Sequence, residues 1–360
     1  MPIHFKPHLN QPSKYKGGKA KIEANGPIQK LSSNENQFGV SPLALKAIQA
    51  GAAQINEYPD RTDLRLRQAL SDFYSGELTP DQFFTSNGAV RGIDMIMLGF
   101  LEEGNEVIFS NPGFGPYRAF PNKYGATSID IPLIGSQFDL DVKGILNSVT
   151  DSTRLLFIAS PNNPTGTCPK KTDLDELINE LPDHVVIVYD EVYFHFAEQE
   201  DFVRGLPYVL QGKSVIALNS FSKAYGMAGM RIGYGYSSEK IASYLRKLPT
   251  PFPINALSTN AAIAALNDTD FIEMTVSKTK EGKAYLYEEL SKLNIPFWKS
   301  QANFILLNPN MDALELEEKM LAKGIMVRPS KNFGFHGIRL TVGTMEQNKM
   351  VISALKEILG

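Results

Sequence analysis

The chain is poor in the residues that build disulfide or metal frameworks. Of its 360 residues only Cys168 is a cysteine, which excludes an intrachain disulfide framework and any multi-cysteine metal site and fits a reducing compartment. The five histidines, His4, His8, His184, His195 and His336, are scattered without metal-ligand spacing, so no metal is expected and none is given a catalytic role; His336 is placed near a substrate pocket only through its closeness to Arg339. No stretch approaches the roughly 20 apolar residues needed to cross a bilayer. The opening MPIHFKPHLNQPSKYKGG has no apolar core of signal-peptide length, so a cytoplasmic protein off the membrane is expected. Neither charge sign is in excess: 36 basic against 39 acidic residues leave a formal charge of -3, without the basic surplus or like-charge runs that signal nucleic acid. No internal repeat is present, which excludes a solenoid.

What is present is an ordinary globular composition, 43% hydrophobic and 21% charged. A chain of 360 residues outgrows a single hydrophobic core, so two subdomains are expected. Short apolar runs, EVIFS (106 to 110), RLLFIAS (154 to 160), VVIVYD (185 to 190), SVIALN (214 to 219) and RIGYGY (231 to 236), alternate with helix-like stretches such as VRGIDMIMLGFL (90 to 101) and DLDELINEL (173 to 181). Continuous rather than alternating apolar strands predict an α/β core, with a mostly parallel sheet between helices. After residue 245 the texture turns to long helices, including 269 to 293, with NFILLN, GIMVRP and GIRLTVG interleaved, which predicts a smaller α+β domain. The expected divisions are an N-terminal arm (1–30), a large domain (31–245) and a small C-terminal domain (246–360).

In open parallel sheets, ligands bind beyond the carboxyl ends of the strands. Asp190 closes the run VVIVYD, where a carboxylate is costly unless it caps a helix or meets a cation or several donors. SPNNPTGT (160 to 167) is a rigid polar turn, either a plain strand-to-helix loop or a holder for one side chain. TSNGAVRGIDMIM runs straight into a helix at Gly88, Ala89 and Val90; bare N–H groups there suit an anion, although most helix starts bind nothing. Lys223 follows VIALNSFS; such a lysine either snorkels to solvent or offers a neutral amine for imine chemistry. Taken together, a carboxylate for a protonated ring nitrogen, an amine, and hydroxyls with an arginine for a phosphate meet the needs of pyridoxal 5'-phosphate. No metal or nicotinamide site explains the same set.

SPNNPTG, VYDEVYFHF, NSFSKAYGMAGMRIGY and GIRLTVGT resemble the motifs of the fold-type I pyridoxal-phosphate aminotransferases, most of all the histidinol-phosphate aminotransferases, over nearly the whole chain. The resemblance implies that Lys223 links to the cofactor aldehyde and later shuttles a proton. It implies that Asp190 pairs with the pyridine nitrogen, that Asn163 and Tyr193 hydrogen-bond the phenolic oxygen, and that Tyr117 stacks on the ring. The phosphate would lie among Gly88, Ala89, Val90, Ser220, Ser222 and Arg231. Homodimers are implied as well, with Tyr58 reaching into the neighbouring site.

For substrate, Arg339 matches the arginine that grips the acidic group, and Arg328 a second arginine that helps hold a substrate phosphate. Tyr15 matches an arm residue that covers the substrate, and Asn163 would also face it. These matches imply transamination between L-histidinol phosphate and 2-oxoglutarate. The chain departs from the pattern at Gln37, where proline is commoner, and at Val90 and Arg91, where histidinol-phosphate enzymes carry two acidic residues. The rivals are an aromatic amino-acid aminotransferase, a threonine-phosphate decarboxylase-like enzyme, and a non-catalytic regulator on the same fold.

Overall fold

A computed structural model describes residues 3, 5–10, 27–330 and 337–360; Tyr15, His4 and His336 lie outside the described residues. In chain order the strands are β1 (Gln29–Lys30), β2 (Phe83–Ser86), β3 (Glu106–Asn111), β4 (Thr127–Pro132), β5 (Thr153–Ala159), β6 (Val186–Asp190), β7 (Val215–Ser220), β8 (Gly233–Tyr236), β9 (Phe304–Leu307), β10 (Ile325–Met326), β11 (Arg328–Pro329) and β12 (Ile338–Thr341).

Strands β2 to β8 form one sheet of seven in the order β2-β8-β7-β6-β5-β3-β4. Only β8 runs against its neighbours; the other pairings are parallel. Successive residues explain the unbroken apolar runs. Val107, Phe109, Leu155, Phe157, Val186, Val188, Ile216 and Leu218 face one core, while Ile108, Leu156, Ile158, Ile187, Tyr189, Val215 and Ala217 face the other. A sheet buried on both faces has no polar side to show in its sequence. The helix Ala89–Phe100 contributes Ile93, Ile96 and Met97 to the first core.

The C-terminal lobe is a three-stranded antiparallel sheet, β11-β12-β9. Helices Thr269–Lys292, Ala313–Ala322 and Met345–Leu359 cover it around a core that includes Leu286, Leu316, Leu340 and Ile352. Two details shift the divisions drawn from sequence. Strand β1 pairs with β10, Gln29 opposite Ile325, and Leu31 is buried in the C-terminal core, so the chain enters the fold through the small lobe before residue 31. The helix Ala256–Leu266 instead joins the large lobe, with Ala261, Ala262 and Ala265 in its core. Small side chains let that helix lie close to Pro42–Gly51: a β-carbon on Gly51 would sit 3.0 Å from Leu257 Cδ2. Composition alone does not reveal such a return of the chain, because the contact joins residues some 200 apart in sequence. Among the described residues, no helix is long and apolar enough to cross a membrane.

Candidate active site

A cavity of about 350 Å³ opens at the carboxyl ends of β5, β6 and β7 and is lined by residues of both lobes. Strand register brings its floor together. Ala159 lies opposite Asp190, Asp190 opposite Leu218, and Ser86 and Ser220 both flank Gly233. The polar residues that follow each apolar run therefore meet at one edge of the sheet, as the strand-end rule requires.

Asp190 is the least exposed of the charged groups that line the cavity, only 5% exposed. It accepts a hydrogen bond from the Tyr117 hydroxyl at 2.6 Å and one from the Val192 N–H at 3.2 Å. Burial pushes its carboxyl pKa up to about 6, against the pull of those two donors. Tyr117 lines the cavity, yet its ring stacks on Phe157, with centroids 4.6 Å apart. The phenol thus serves the buried carboxylate, to which, among the described residues, one backbone N–H also donates.

The residue behind Asp190 was not singled out in the sequence. Glu191 is fully buried and accepts from Arg204 Nη2 (2.8 Å), Gly205 N (2.8 Å), Asn219 Nδ2 (2.9 Å) and the Tyr236 hydroxyl (2.7 Å). A buried carboxylate with this many donors is stable in place and ties the end of β6 to β7 and β8. Nothing in the spacing of Glu191 and Arg204 advertises the pair, since Arg204 arrives from a loop. His195 is half-buried beside them, in edge contact with Tyr225; desolvation, helped by Arg204, lowers its pKa to about 3, so it stays neutral, and it lies outside the cavity lining.

At the other end of the floor stand Ala89, Val90, Ser220, Ser222 and Arg231. Gly88, at φ 81°, caps the helix Ala89–Phe100. A β-carbon there would lie 2.5 Å from Arg231 Nη2, so glycine is what lets the guanidinium lie against the helix start. Arg91 N and Gly92 N bond back to Gly88 O, whereas the N–H groups of Ala89 and Val90 meet no acceptor among the described residues. Two N–H donors, two hydroxyls and a guanidinium make a cradle for a phosphate dianion. Arg91 turns away from the cavity and pairs with Asp94, leaving Val90 as the apolar side chain at this wall.

Lys223 lies between these ends. Its Nζ is 5.6 Å from the Tyr193 ring centroid and donates to Ser33 O at 3.2 Å. Burial pulls its pKa down to about 7, Arg339 and Arg231 add to the shift, and Glu35 and Asp190 oppose it. A large share of the amine is therefore unprotonated near neutral pH. The Tyr193 hydroxyl accepts from Asn34 Nδ2 at 2.9 Å.

The small lobe supplies the opposite wall. Arg339, 6% exposed, donates through Nη1 to Asn163 Oδ1 at 2.7 Å and through Nη2 to Ser32 O at 2.6 Å. Arg328 faces Arg339 across the β11–β12 pair and also lines the cavity. Ser32, Ser33, Asn34 and Glu35 complete this wall. They fall within the polar stretch LSSNENQFG (31 to 39), where in sequence nothing marks them as cavity residues. Tyr58 is not part of the cavity: it is 85% exposed and stacks on Phe252 at 4.9 Å.

Comparison with known proteins places this geometry. The family described as "Aminotransferase class I and II" matches residues 27–355. The chain is 36% identical to histidinol-phosphate aminotransferase 2 of Carboxydothermus hydrogenoformans, covering 92% of this chain and 91% of that protein. It is 34% identical to histidinol-phosphate aminotransferase of Bacillus pumilus, covering 99% of each. Among solved structures, histidinol-phosphate aminotransferase from Sinorhizobium meliloti in complex with pyridoxal-5'-phosphate shares the fold with a TM-score of 0.85 at 23% identity, covering 100% of this chain and 98% of that one. Aspartate aminotransferase from Thermus thermophilus with maleate shares it at 0.81 and 24% identity, covering 92% and 91%.

Proposed function

The chain belongs to the class I and II aminotransferase family, and from that premise we propose that it is a pyridoxal 5'-phosphate enzyme acting on L-histidinol phosphate. It exchanges that amine with 2-oxoglutarate, giving imidazole-acetol phosphate and L-glutamate, a step of histidine biosynthesis. The observation that carries the substrate is the Arg328–Arg339 pair, two guanidinium groups in register on the wall opposite the cofactor cradle. Such a pair suits a phosphate ester, which offers several acceptor oxygens to bidentate donors. The curated relatives with this name, matched over nearly their whole length, support the same reading.

The donor set fits the cofactor. The bare N–H groups of Ala89 and Val90, the Ser220 and Ser222 hydroxyls and Arg231 would hold its phosphate, and Asp190 its ring nitrogen. Asn163 and Tyr193 would hold the phenolic oxygen, and Tyr117, anchored on Asp190, borders the ring. When bound, pyridoxal phosphate supplies an aldehyde for the donor amine and a ring that accepts the electrons released at the donor carbon. The chain supplies the rest. Arg339 and Arg328 orient the donor by its acidic group. Lys223 Nζ would take the proton from the donor carbon and hand it on to the carbon that carried the cofactor aldehyde, work suited to a pKa near the operating pH. Asp190 keeps a negative charge beside the ring nitrogen, where positive charge must persist.

One observation favours a second reading. Val90 presents an apolar side chain to the cavity where the resemblance leads one to expect an acidic residue, and this suits an aromatic amino acid as donor. Single half-reactions decide between them, read as conversion of the bound cofactor to its amine form by absorbance. Histidinol phosphate should react faster than phenylalanine by more than about tenfold, since a site built on polar partners rejects donors that leave those partners unmatched. A faster reaction with phenylalanine would install the second reading.

The proposal includes a homodimer in which Tyr58 of one protomer completes the cofactor phosphate site of its partner. Tyr58, Ile55 and Leu64 are 85%, 72% and 52% exposed, a set of large side chains that a second copy would cover. Sedimentation of the holoenzyme at micromolar concentration should show a dimer, and Tyr58→Phe should weaken cofactor retention. An active monomer with unchanged cofactor affinity in Tyr58→Phe would refute this arrangement.

A further inference from the structure

The charges around the cavity leave one group without a task. Among the described residues four cations line it, Lys223, Arg231, Arg328 and Arg339, against two carboxylates, Asp190 and Glu35. Asp190 is committed to the floor. Glu35 stands on the opposite wall, its side chain 35% exposed, with Oε1 bonded to Lys30 Nζ at 2.7 Å; no described residue donates a hydrogen bond to its other oxygen.

The wall that carries Glu35 is held firmly. Ser32 O accepts from Arg339 at 2.6 Å, and Asn34 O accepts from Asn303 Nδ2 at 3.1 Å. Asn34 N donates to Thr341 Oγ1 at 3.0 Å, and Asn34 Nδ2 to the Tyr193 hydroxyl at 2.9 Å. Two residues further on, Asn36 Nδ2 donates to Ala224 O at 2.9 Å. The chain on both sides of Glu35 is therefore tied, through the backbone of Asn34 to β12 and through the side chains of Asn34 and Asn36 to Tyr193 and the segment after Lys223. A side chain fixed from both flanks and from behind by Lys30 loses little freedom when it receives a ligand, which is how preorganisation raises affinity and selectivity.

We propose that Glu35 is a specificity-determining residue that accepts a hydrogen bond from an N–H on the side group of the amino donor, while Arg339 and Arg328 hold the donor's acidic group. The class of donor selected is one that carries an acidic group at one end and a nitrogen-bearing ring or cationic head at the other. The inference rests on the substrate reading above, in which that ring is the imidazole. A charge-assisted hydrogen bond inside a partly closed cavity discriminates more strongly than apolar contact, because a ring without the N–H leaves the carboxylate desolvated and unpaired.

The test compares two donors in the holoenzyme, L-histidinol phosphate and the phosphate ester of L-phenylalaninol, which keeps the amine and the phosphate but has no ring N–H. In Glu35→Gln, kcat/KM for histidinol phosphate should fall roughly ten- to a hundredfold, and kcat/KM for the phenylalaninol ester should change by less than about threefold. Lys30→Met, which removes the clasp and leaves the carboxylate, should keep most of the preference for histidinol phosphate. Equal losses with both donors in Glu35→Gln, or no loss with either, would overturn the assignment while leaving the substrate reading intact. An equal loss for both donors in Lys30→Met that matches Glu35→Gln would show a purely structural clasp and overturn it too. Wild-type enzyme that rejects histidinol phosphate would defeat the substrate reading and this assignment with it.

Discussion

Lys223→Ala is expected to lower kcat with histidinol phosphate by about 10⁴-fold or more, the upper range of what one positioned proton-transfer group supplies, with further loss from the missing nucleophile. The structure gives this lysine no substitute. The nearby guanidinium groups of Arg231 and Arg339 offer only donors and no acceptor, Asp190 is turned to the floor, and no histidine among the described residues lines the cavity. Borohydride treatment of the wild-type holoenzyme should attach the cofactor to residue 223 by mass spectrometry, and the variant should show none. A small primary amine added to the variant should restore part of the rate, because the cavity would then hold a diffusible base where Nζ stood. Activity of the variant within about tenfold of wild type would remove Lys223 from the chemistry.

Asp190→Asn should lower kcat/KM by on the order of 10³-fold, the scale of losing one preorganised electrostatic partner in a water-poor site. Its stability should move the other way. Burial raises the Asp190 pKa from 3.8 to about 6, so between those values the folded, cofactor-free protein holds a proton that the unfolded chain has released. Proton linkage then makes stability fall as pH rises through that window, and above it the buried charge carries its full cost. Asparagine has no such charge. The cofactor-free variant should therefore melt higher than wild type at about pH 7.5, and the gain should vanish near pH 3.5. A variant that is both less active and less stable at neutral pH would mean that Asp190 is structurally satisfied by Tyr117 and Val192 and carries no stored electrostatic cost. A more stable but nearly inactive variant is the outcome expected where function is built on an uncomfortable charge.

The two variants probe residues that are legible in the sequence for the same reason. Asp190 and Lys223 follow apolar strands directly, and the end of a buried parallel strand is where the backbone must leave the sheet and where a polar side chain becomes useful. Position along the chain was enough to suspect them. Ser220, Ser222 and Arg231 share one short stretch with Lys223, so their grouping was local as well. Glu191 was harder. Its partners, Arg204, Asn219 and Tyr236, come from a loop and two other strands, so no local pattern marks it. Tyr58 shows the reverse case: resemblance gave it a role at the cofactor, and in a single chain it lies on the surface against Phe252.

The apolar runs, the strand-end polar residues and the quoted motifs suffice, with no coordinates, for the fold class, the cofactor chemistry and the residues on the floor of the cavity. These are short-range properties: burial of a strand on two faces and a polar break after it leave their mark within ten residues. The far wall is another matter. Ser32 meets Arg339 across 307 positions, and Asn163 meets the same arginine across 176. Those contacts exist only because β1 enters the fold through the small lobe and the β11–β12 pairing sets Arg328 beside Arg339. Register and domain packing are long-range outcomes, set by the summed burial of two cores rather than by any local pattern. They alone turn Glu35 from one acidic residue in a polar turn into a carboxylate facing the donor.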